Sequence, residues 1–403
     1  MPAAIIGAMN HTVTVASDAL VERCSEAALA LLKKNLTASG ILAATPNRRA
    51  QSKSYDAVFA RDAGICILAM ARSADPALIE GARSSLLTLA QYQAKNGQIP
   101  KFVMPENRAA DFWYVGCIDA TMWWLIAMKH LARLVPEASL DAEMGEHTER
   151  ALHWLRCQEH PWLQLVSQNE ASDWADIMPR SGFVLYSNAL WYYVKRLYDL
   201  PGAQETREHF NHLFFPFSGE LADYRRLRLL NHFVRQRARN RGLYLSFVNF
   251  SFWGEEGDVF GNLLAVLCGL AGDARASGIM HSLESAGIEH PQSVRVTLTP
   301  IEPYSPLWRT YMGRHRQNMV YQYHNGGCWP MVGGFWVMAL SSVGDRRGAH
   351  AALERLAETN ALNGMEFNEW FHGSTGEPMG MTGQSWNAAS FLLALASLEQ
   401  RIF

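Results

Sequence analysis

The 403-residue sequence predicts an all-α protein, an (α/α)6 barrel of helical hairpins forming one domain over residues 1–403. Three observations point there. About a dozen segments repeat apolar residues at the i, i+3/i+4 spacing of a helix with one buried face. Short connections alternate with long ones rich in Gly, Pro and aromatics, as in hairpins whose long loops all open on the same side. No fixed-period repeat is visible, which favours a closed ring over a superhelical array. Length alone does not demand a second domain.

In chain order, Ser17 and Asp18 can cap a helix carrying Leu20, Val21, Cys24, Ala27, Ala28, Leu31 and Leu32, with Gly40 closing the segment. The same period predicts helices over 62–72, 77–93, 118–134, 145–156, 187–198 and 205–212. It continues through 219–237, 258–270, 274–285, 331–342, 347–359 and 384–400. The long connections are 97–112, 159–182, 246–257, 300–327 and 363–383, where binding and catalytic groups are expected. Strands are scarce, with 242–250 and 294–299 the best candidates, each short enough for a loop hairpin.

Composition narrows the function. Hydrophobic residues at 49% and charged residues at 18% support a large core and argue against disorder. The 13 Trp, 13 Tyr and 18 Phe exceed what such a core needs, and Trp on a concave surface stacks on pyranose faces. A net charge of −2 gives no field for nucleic acid or anionic lipid. The locally basic run from Arg225 to Arg241 reads as the solvated face of an amphipathic helix, with an RNA or subunit contact as the alternative. The six cysteines are scattered and form no Cys-x-x-Cys pair, which fits free thiols in a reducing cytoplasm. No signal-peptide pattern opens the chain and no apolar run is long enough to span a bilayer, so a cytoplasmic protein without membrane contact is expected. Outer helices of such a barrel offer a surface for pairing two copies, although nothing in the sequence calls for a homodimer.

Two irregular segments carry the chemistry. Glu170 to Arg180 sets Asp173 and Asp176 beside Trp174, Met178, Pro179 and Arg180, and Glu366 to Glu377 sets Glu369 beside Trp370 and Phe371 before a Gly turn. Two carboxylates among aromatic rings, delivered from distant parts of a chain, suit hydrolysis of a glycosidic bond, one protonating the leaving oxygen and the other activating water. Apolar burial would let an aspartate hold its proton near neutral pH, which fits Asp176, with Asp173 as competitor for the acid role and Glu366 as backup for the base. Arg61 and Asp62 suit a clamp on vicinal hydroxyls or an internal ion pair; Asp119 is a helix cap or a sugar ligand. His324 and Asn325 precede Gly326-Gly327, a backbone that approaches something closely, with substrate the favoured neighbour. Metal is not expected: His209-x-x-His212 lacks a third ligand. Gly254-Glu-Glu-Gly257 lacks the ending of a phosphate loop and puts acids where an anion would bind, so no cofactor is implied.

Four landmarks resemble alkaline/neutral invertases in order and spacing along nearly the whole chain: Ser54 to Asp62, Val115 to Trp124, the specific Tyr323-His-Asn-Gly-Gly-Cys-Trp-Pro330, and Glu369-Trp-Phe371 followed by Gln384-Ser-Trp386. The resemblance implies an (α/α)6-barrel hydrolase acting on sucrose with inversion and without metal. The acid segment departs from that pattern. Asp176-Ile-Met-Pro-Arg180 instead resembles processing α-glucosidases and, less closely, trehalases, in which an aspartate three residues before a proline is the general acid. Carried over, Asp176 is the acid and Glu369 the base, with Tyr55, Arg61, Asp62, Asp119, Trp174, Arg180, His324, Asn325, Trp329, Gln384 and Trp386 expected to contact a small saccharide. An α-glucosidase or debranching-type enzyme on glucosylated solutes or maltodextrins is the alternative. Sugar 2-epimerases, which resemble this architecture but use histidines, are the distant one.

Overall fold

The structure, a computed structural model, describes residues 3–112, 117–136, 140–217, 227–249 and 252–403. Val115, Gly116, Phe250 and the beginning of the helix expected over 219–237 lie outside them. Fourteen α-helices are described: α1 Ala3–Lys34, α2 Arg48–Ser52, α3 Ala60–Met70, α4 Pro76–Gln91, α5 Ile118–Leu134, α6 Leu140–Gln158, α7 Leu185–Leu197, α8 Ala203–Phe214, α9 Leu227–Arg237, α10 Val259–Leu267, α11 Asp273–Ser285, α12 Pro330–Ser342, α13 Arg346–Met365 and α14 Ser385–Ser397.

Six of them form a closed ring, α3 packing on α5, α5 on α7, α7 on α10, α10 on α12, α12 on α14, and α14 back on α3. Outside it, α4 covers α3, α6 covers α5, α8 covers α7, α11 covers α10, α13 covers α12, and α1 covers α14. This is the (α/α)6 barrel. The inner helices are mostly buried, and every residue of α3 and α10 is buried. Small residues let them crowd: a Cβ on Gly334 of α12 would lie 2.5 Å from the Ser390 carbonyl oxygen of α14. The ring is closed by polar bonds as well, since Asn35 Nδ2, just beyond α1, donates to Gly383 O at 3.0 Å and Ser385 Oγ at 2.9 Å.

The barrel is filled rather than hollow. Phe403 meets Phe335, Phe335 meets Phe260, and Phe260 meets Trp174 edge-on at 5.1 Å, an aromatic column ending at His324 and Trp329. Above it the first turns of the inner helices converge, none with a side-chain cap bond. Outer helix α4, by contrast, is capped by Asp75 and α13 by Asp345.

Some expectations are corrected. The first helix starts at Ala3, so Ser17 and Asp18 lie inside it and not at its N-terminus. Before Gly40 can close it, the chain turns into a short hairpin of Leu36–Thr37 against Gly40–Ile41. The 294–299 segment makes only isolated bridges, Arg295 with Cys328 and Thr297 with Asp258. Of 242–249, only Phe247–Val248 is strand, in an antiparallel four-stranded sheet with Ser167–Gln168, Gly182–Val184 and Trp253–Gly254. No helix among the described residues is long and apolar enough to cross a membrane.

Candidate active site

The long loops enclose a cavity of about 720 Å³ over the inner-helix starts. Asp176 and Glu369 both line it, as do Tyr55, Arg61, Asp62, Trp174, His324, Trp329 and Trp386 among the residues expected from sequence.

Glu369 sits on a braced segment. Its neighbours Trp370–Phe371 pair with Pro378–Met379, and Phe371 exchanges two backbone bonds of 2.8 Å with Cys328. Tyr55 donates to Glu369 Oε1 at 2.6 Å and the Met381 amide to Oε2 at 2.8 Å. Gly380, at φ +77°, closes over the carboxylate, where a Cβ would stand 2.3 Å from Oε2. Burial pushes Glu369 up to about 7, with the Tyr55 and Met381 bonds pulling it down and the charges of Asp62 and Asp176 adding to the rise.

Asp176 is held differently. Asp173 accepts from the Ala175 amide and from Gln168 Nε2, both at 2.8 Å, tightening the turn, and Ile177 takes φ +51°. Asn318 Nδ2 donates to the carbonyls of Asp176 and Ile177 at 3.0 and 3.3 Å, while its Oδ1 accepts from the His324 amide. The Asp176 carboxylate meets Lys101 Nζ at 3.3 Å and Tyr323 Oη at 3.4 Å, with its side chain 17% exposed. The competitor Asp173 is not among the lining residues; burial raises it to about 7 and Arg180 opposes the rise.

The floor is rich in unanswered polar atoms. Trp174 Nε1, Trp386 Nε1, Arg61 Nε and both His324 ring nitrogens are buried without a hydrogen-bond partner. His324 stacks on Trp329 with centroids 4.8 Å apart and planes 8° from parallel. Burial, then the Arg61 charge, holds its imidazole well below the ordinary range, so it is neutral, with one donor and one acceptor nitrogen. Asp62 is raised to about 6 by burial despite Arg61 and Lys101. Buried donors without partners cost free energy unless a ligand answers them.

Four of the expected contacts stand behind the cavity instead of in it. Asp119 accepts from Arg61 at 2.9 Å, Cys117 Sγ at 2.9 Å and Tyr186 at 3.0 Å, fixing Arg61 from below. Arg180 pairs with Glu256 and Asp258, each at 3.2 Å, and Asn325 staples Ile301 through its amide and carbonyl. Gln384 is buried at the start of α14. Conversely, Lys101, Asn318 and Tyr323 belong to the surroundings of Asp176 and were not expected there. Tyr323 could have been read from its place beside His324, whereas Lys101 shares the loop 97–112 with Arg108 and nothing in the sequence singles it out.

The chain matches the family model for alkaline and neutral invertase over residues 248–400. That is narrower than the landmarks suggested, and it contains Glu369, His324, Trp329 and Trp386 but not Asp176. The probable alkaline/neutral invertase D of Arabidopsis thaliana is 29% identical over 144 residues, 34% of this chain and 26% of that protein. Cytosolic invertase 1 of Oryza sativa subsp. japonica is 29% identical over 146 residues, 34% of this chain and 25% of that one. The chain thus spans about a quarter of the length of these curated relatives. Among solved structures, the GH63 mannosylglycerate hydrolase of Thermus thermophilus in complex with Tris and D-glycerate superposes with a TM-score of 0.64 at 16% identity, over 92% of this chain and 99% of that one. A bacterial glucoamylase complexed with acarbose gives a TM-score of 0.60 at 16% identity, over 93% and 55%. At those identities the likeness establishes the shared barrel.

Proposed function

We propose that this protein is a glycoside hydrolase that cleaves an α-glucosidic bond in a small saccharide, with sucrose the leading substrate. The observation that carries the reading is the meeting of Asp176 and Glu369 in one aromatic-walled cavity large enough for a disaccharide. The glycone fits the closed end, where Arg61, Asp62, His324 and the two free indole N–H groups answer its hydroxyls. Glu369, oriented by Tyr55 and Met381, takes a proton from water as that water attacks the anomeric carbon. Asp176 delivers its proton to the leaving oxygen. Inversion requires the two carboxyls to stand roughly 6.5–9.5 Å apart, leaving room for the water.

The acid segment favours a second reading within this chemistry. It lies outside the invertase-matched span and resembles that of processing α-glucosidases, so glucosylated solutes or maltodextrins are the competing substrates. A cytoplasmic setting suits either, since all six cysteines are free.

The test is hydrolysis of sucrose, trehalose, maltose and isomaltose with the product anomer followed by NMR. Release of β-glucose from sucrose, lost in Glu369→Gln, is the expected result. Release of α-glucose would remove inversion. Full hydrolysis in Glu369→Gln would remove Glu369 as the base; no hydrolysis of any of the four, with a free sugar epimerised instead and that activity lost in His324→Ala, would replace hydrolysis with histidine-based epimerisation.

A further inference from the structure

The cations lining the cavity fall into two groups. Arg61 and Lys101 are buried among the acids Asp62, Asp176 and Glu369 and are ion-paired there, while Arg49, Lys53 and Arg316 are exposed. Among the described residues none of these three cations has an ion-pair partner; the remaining acid of the lining, Asp111, is half-buried. They also run against the sign of a chain whose net charge is −2. Unpaired cations at a cavity entrance attract an anionic ligand more than a neutral one.

Their backbones are fixed. Asn47 Oδ1 caps α2 by accepting from the Arg49 and Ala50 amides at 2.9 Å each, the Ala50 side chain is buried, and the Lys53 amide bonds back to Ala50 O. Ser54, His315 and Arg316 all hold positive φ, at 58°, 57° and 53°. Non-glycine residues in that region cost about 1–3 kcal/mol each and cluster at ligand clamps. Two separate segments, 47–54 and 310–317, are therefore constrained to bring cations to one opening.

Resting on the hydrolase reading, in which the glycone takes the closed end and the leaving group the mouth, we propose that the leaving-group subsite takes an anionic aglycone. Its substrates are glucosides whose departing half carries a carboxylate or a phosphate. Arg49, Lys53 and Arg316 hold that anion through charge-assisted hydrogen bonds, and the bond broken is the ordinary glycosidic one, with water the only co-reactant.

The test compares substrates differing in one charge: α-glucosylglycerol with α-glucosylglycerate for a carboxylate, and sucrose with sucrose phosphorylated on its fructose for a phosphate. The expected kcat/KM is at least about tenfold higher for an anionic member, falling in 0.5 M salt as exposed charges are screened. The anionic-to-neutral ratio should drop to near unity in the triple variant Arg49→Gln/Lys53→Gln/Arg316→Gln. Which pair shows the preference identifies the anion. Equal rates within both pairs, or a preference untouched by the triple variant, overturns the proposal while leaving the hydrolase reading intact. If no glycoside is cleaved, the hydrolase reading falls, and calorimetry of D-glycerate against glycerol decides this one. Glycerate binding lost in the triple variant sustains the anion site; no binding to the unaltered protein removes it.

Discussion

In the Glu369 loop both carboxylate oxygens are taken, by Tyr55 and by the Met381 amide, under a glycine that leaves no spare room. In the Asp176 loop the anchors grip the backbone: Asn318 holds the carbonyls, Asp173 the turn, and the carboxylate meets only longer contacts to Lys101 and Tyr323. A base acts on one water in one place, so fixing its oxygens costs it nothing. A proton donor has to follow the oxygen of whatever leaves, and freedom at the side chain serves that. The division matches the comparison with invertases, which covers the Glu369 loop and stops short of the Asp176 loop. Divergence between relatives of this kind is therefore expected on the leaving-group side.

The strongest way to break the comparison is to remove each carboxylate. Glu369→Gln should lower sucrose hydrolysis by about 10⁴-fold at every pH, with substrate binding retained. Asp176→Asn should lose about 10³-fold with sugar leaving groups but less than about tenfold with nitrophenyl glucoside, which departs without a proton. Equal loss on both would make Asp176 a sugar-binding residue and not the proton donor. Crowding comes next: Gly380→Ala forces the Glu369 carboxylate aside and should lower kcat by about 10²-fold, as a displacement near 1 Å does. Asn318→Ala should affect a poor leaving group more than an activated one.

Stability gives a third measurement. The folded-state value of Glu369, about 7, lies above its ordinary 4.5, so its contribution to stability is fully present below pH 4.5 and lost as pH rises through 7. Glu369→Gln should therefore gain on the unaltered protein at pH 8 by on the order of 1–3 kcal/mol in urea unfolding, and by little at pH 4. The smallest effect concerns Tyr55. Its hydrogen bond favours the charged carboxylate, so Tyr55→Phe should move the acidic limb of kcat/KM upward from near 7 by roughly half to one pH unit. An unmoved limb would assign that limb to Asp62 instead.

The helices were legible because burial of one face imposes a period that survives in sequence, and the inner ring is the part most thoroughly buried. The cavity positions of Asp176 and Glu369 were legible from acids set in irregular aromatic segments, but Asp173, directly beside Trp174, tightens the turn instead. What did not show was direction. Asp119, at a helix start, reads alike whether it faces sugar or Arg61, and Arg180 becomes an internal tie only because Glu256 and Asp258 arrive from a segment far along the chain. Asn318 was invisible for the same reason, since its value lies in joining two loops that sequence separates.

The bond from Asn35 to Ser385 joins residues 350 positions apart, and it has a consequence for synthesis. Until α14 has emerged and docked, the flanks of α3 and α12 that it covers lack their native partner. Closure is thus a high-contact-order event that comes late, after most of the apolar surface has already been made. A chain stopped before Ser385 would be left as an open arc with two sticky ends, a form that quality control removes and not an enzyme of reduced activity.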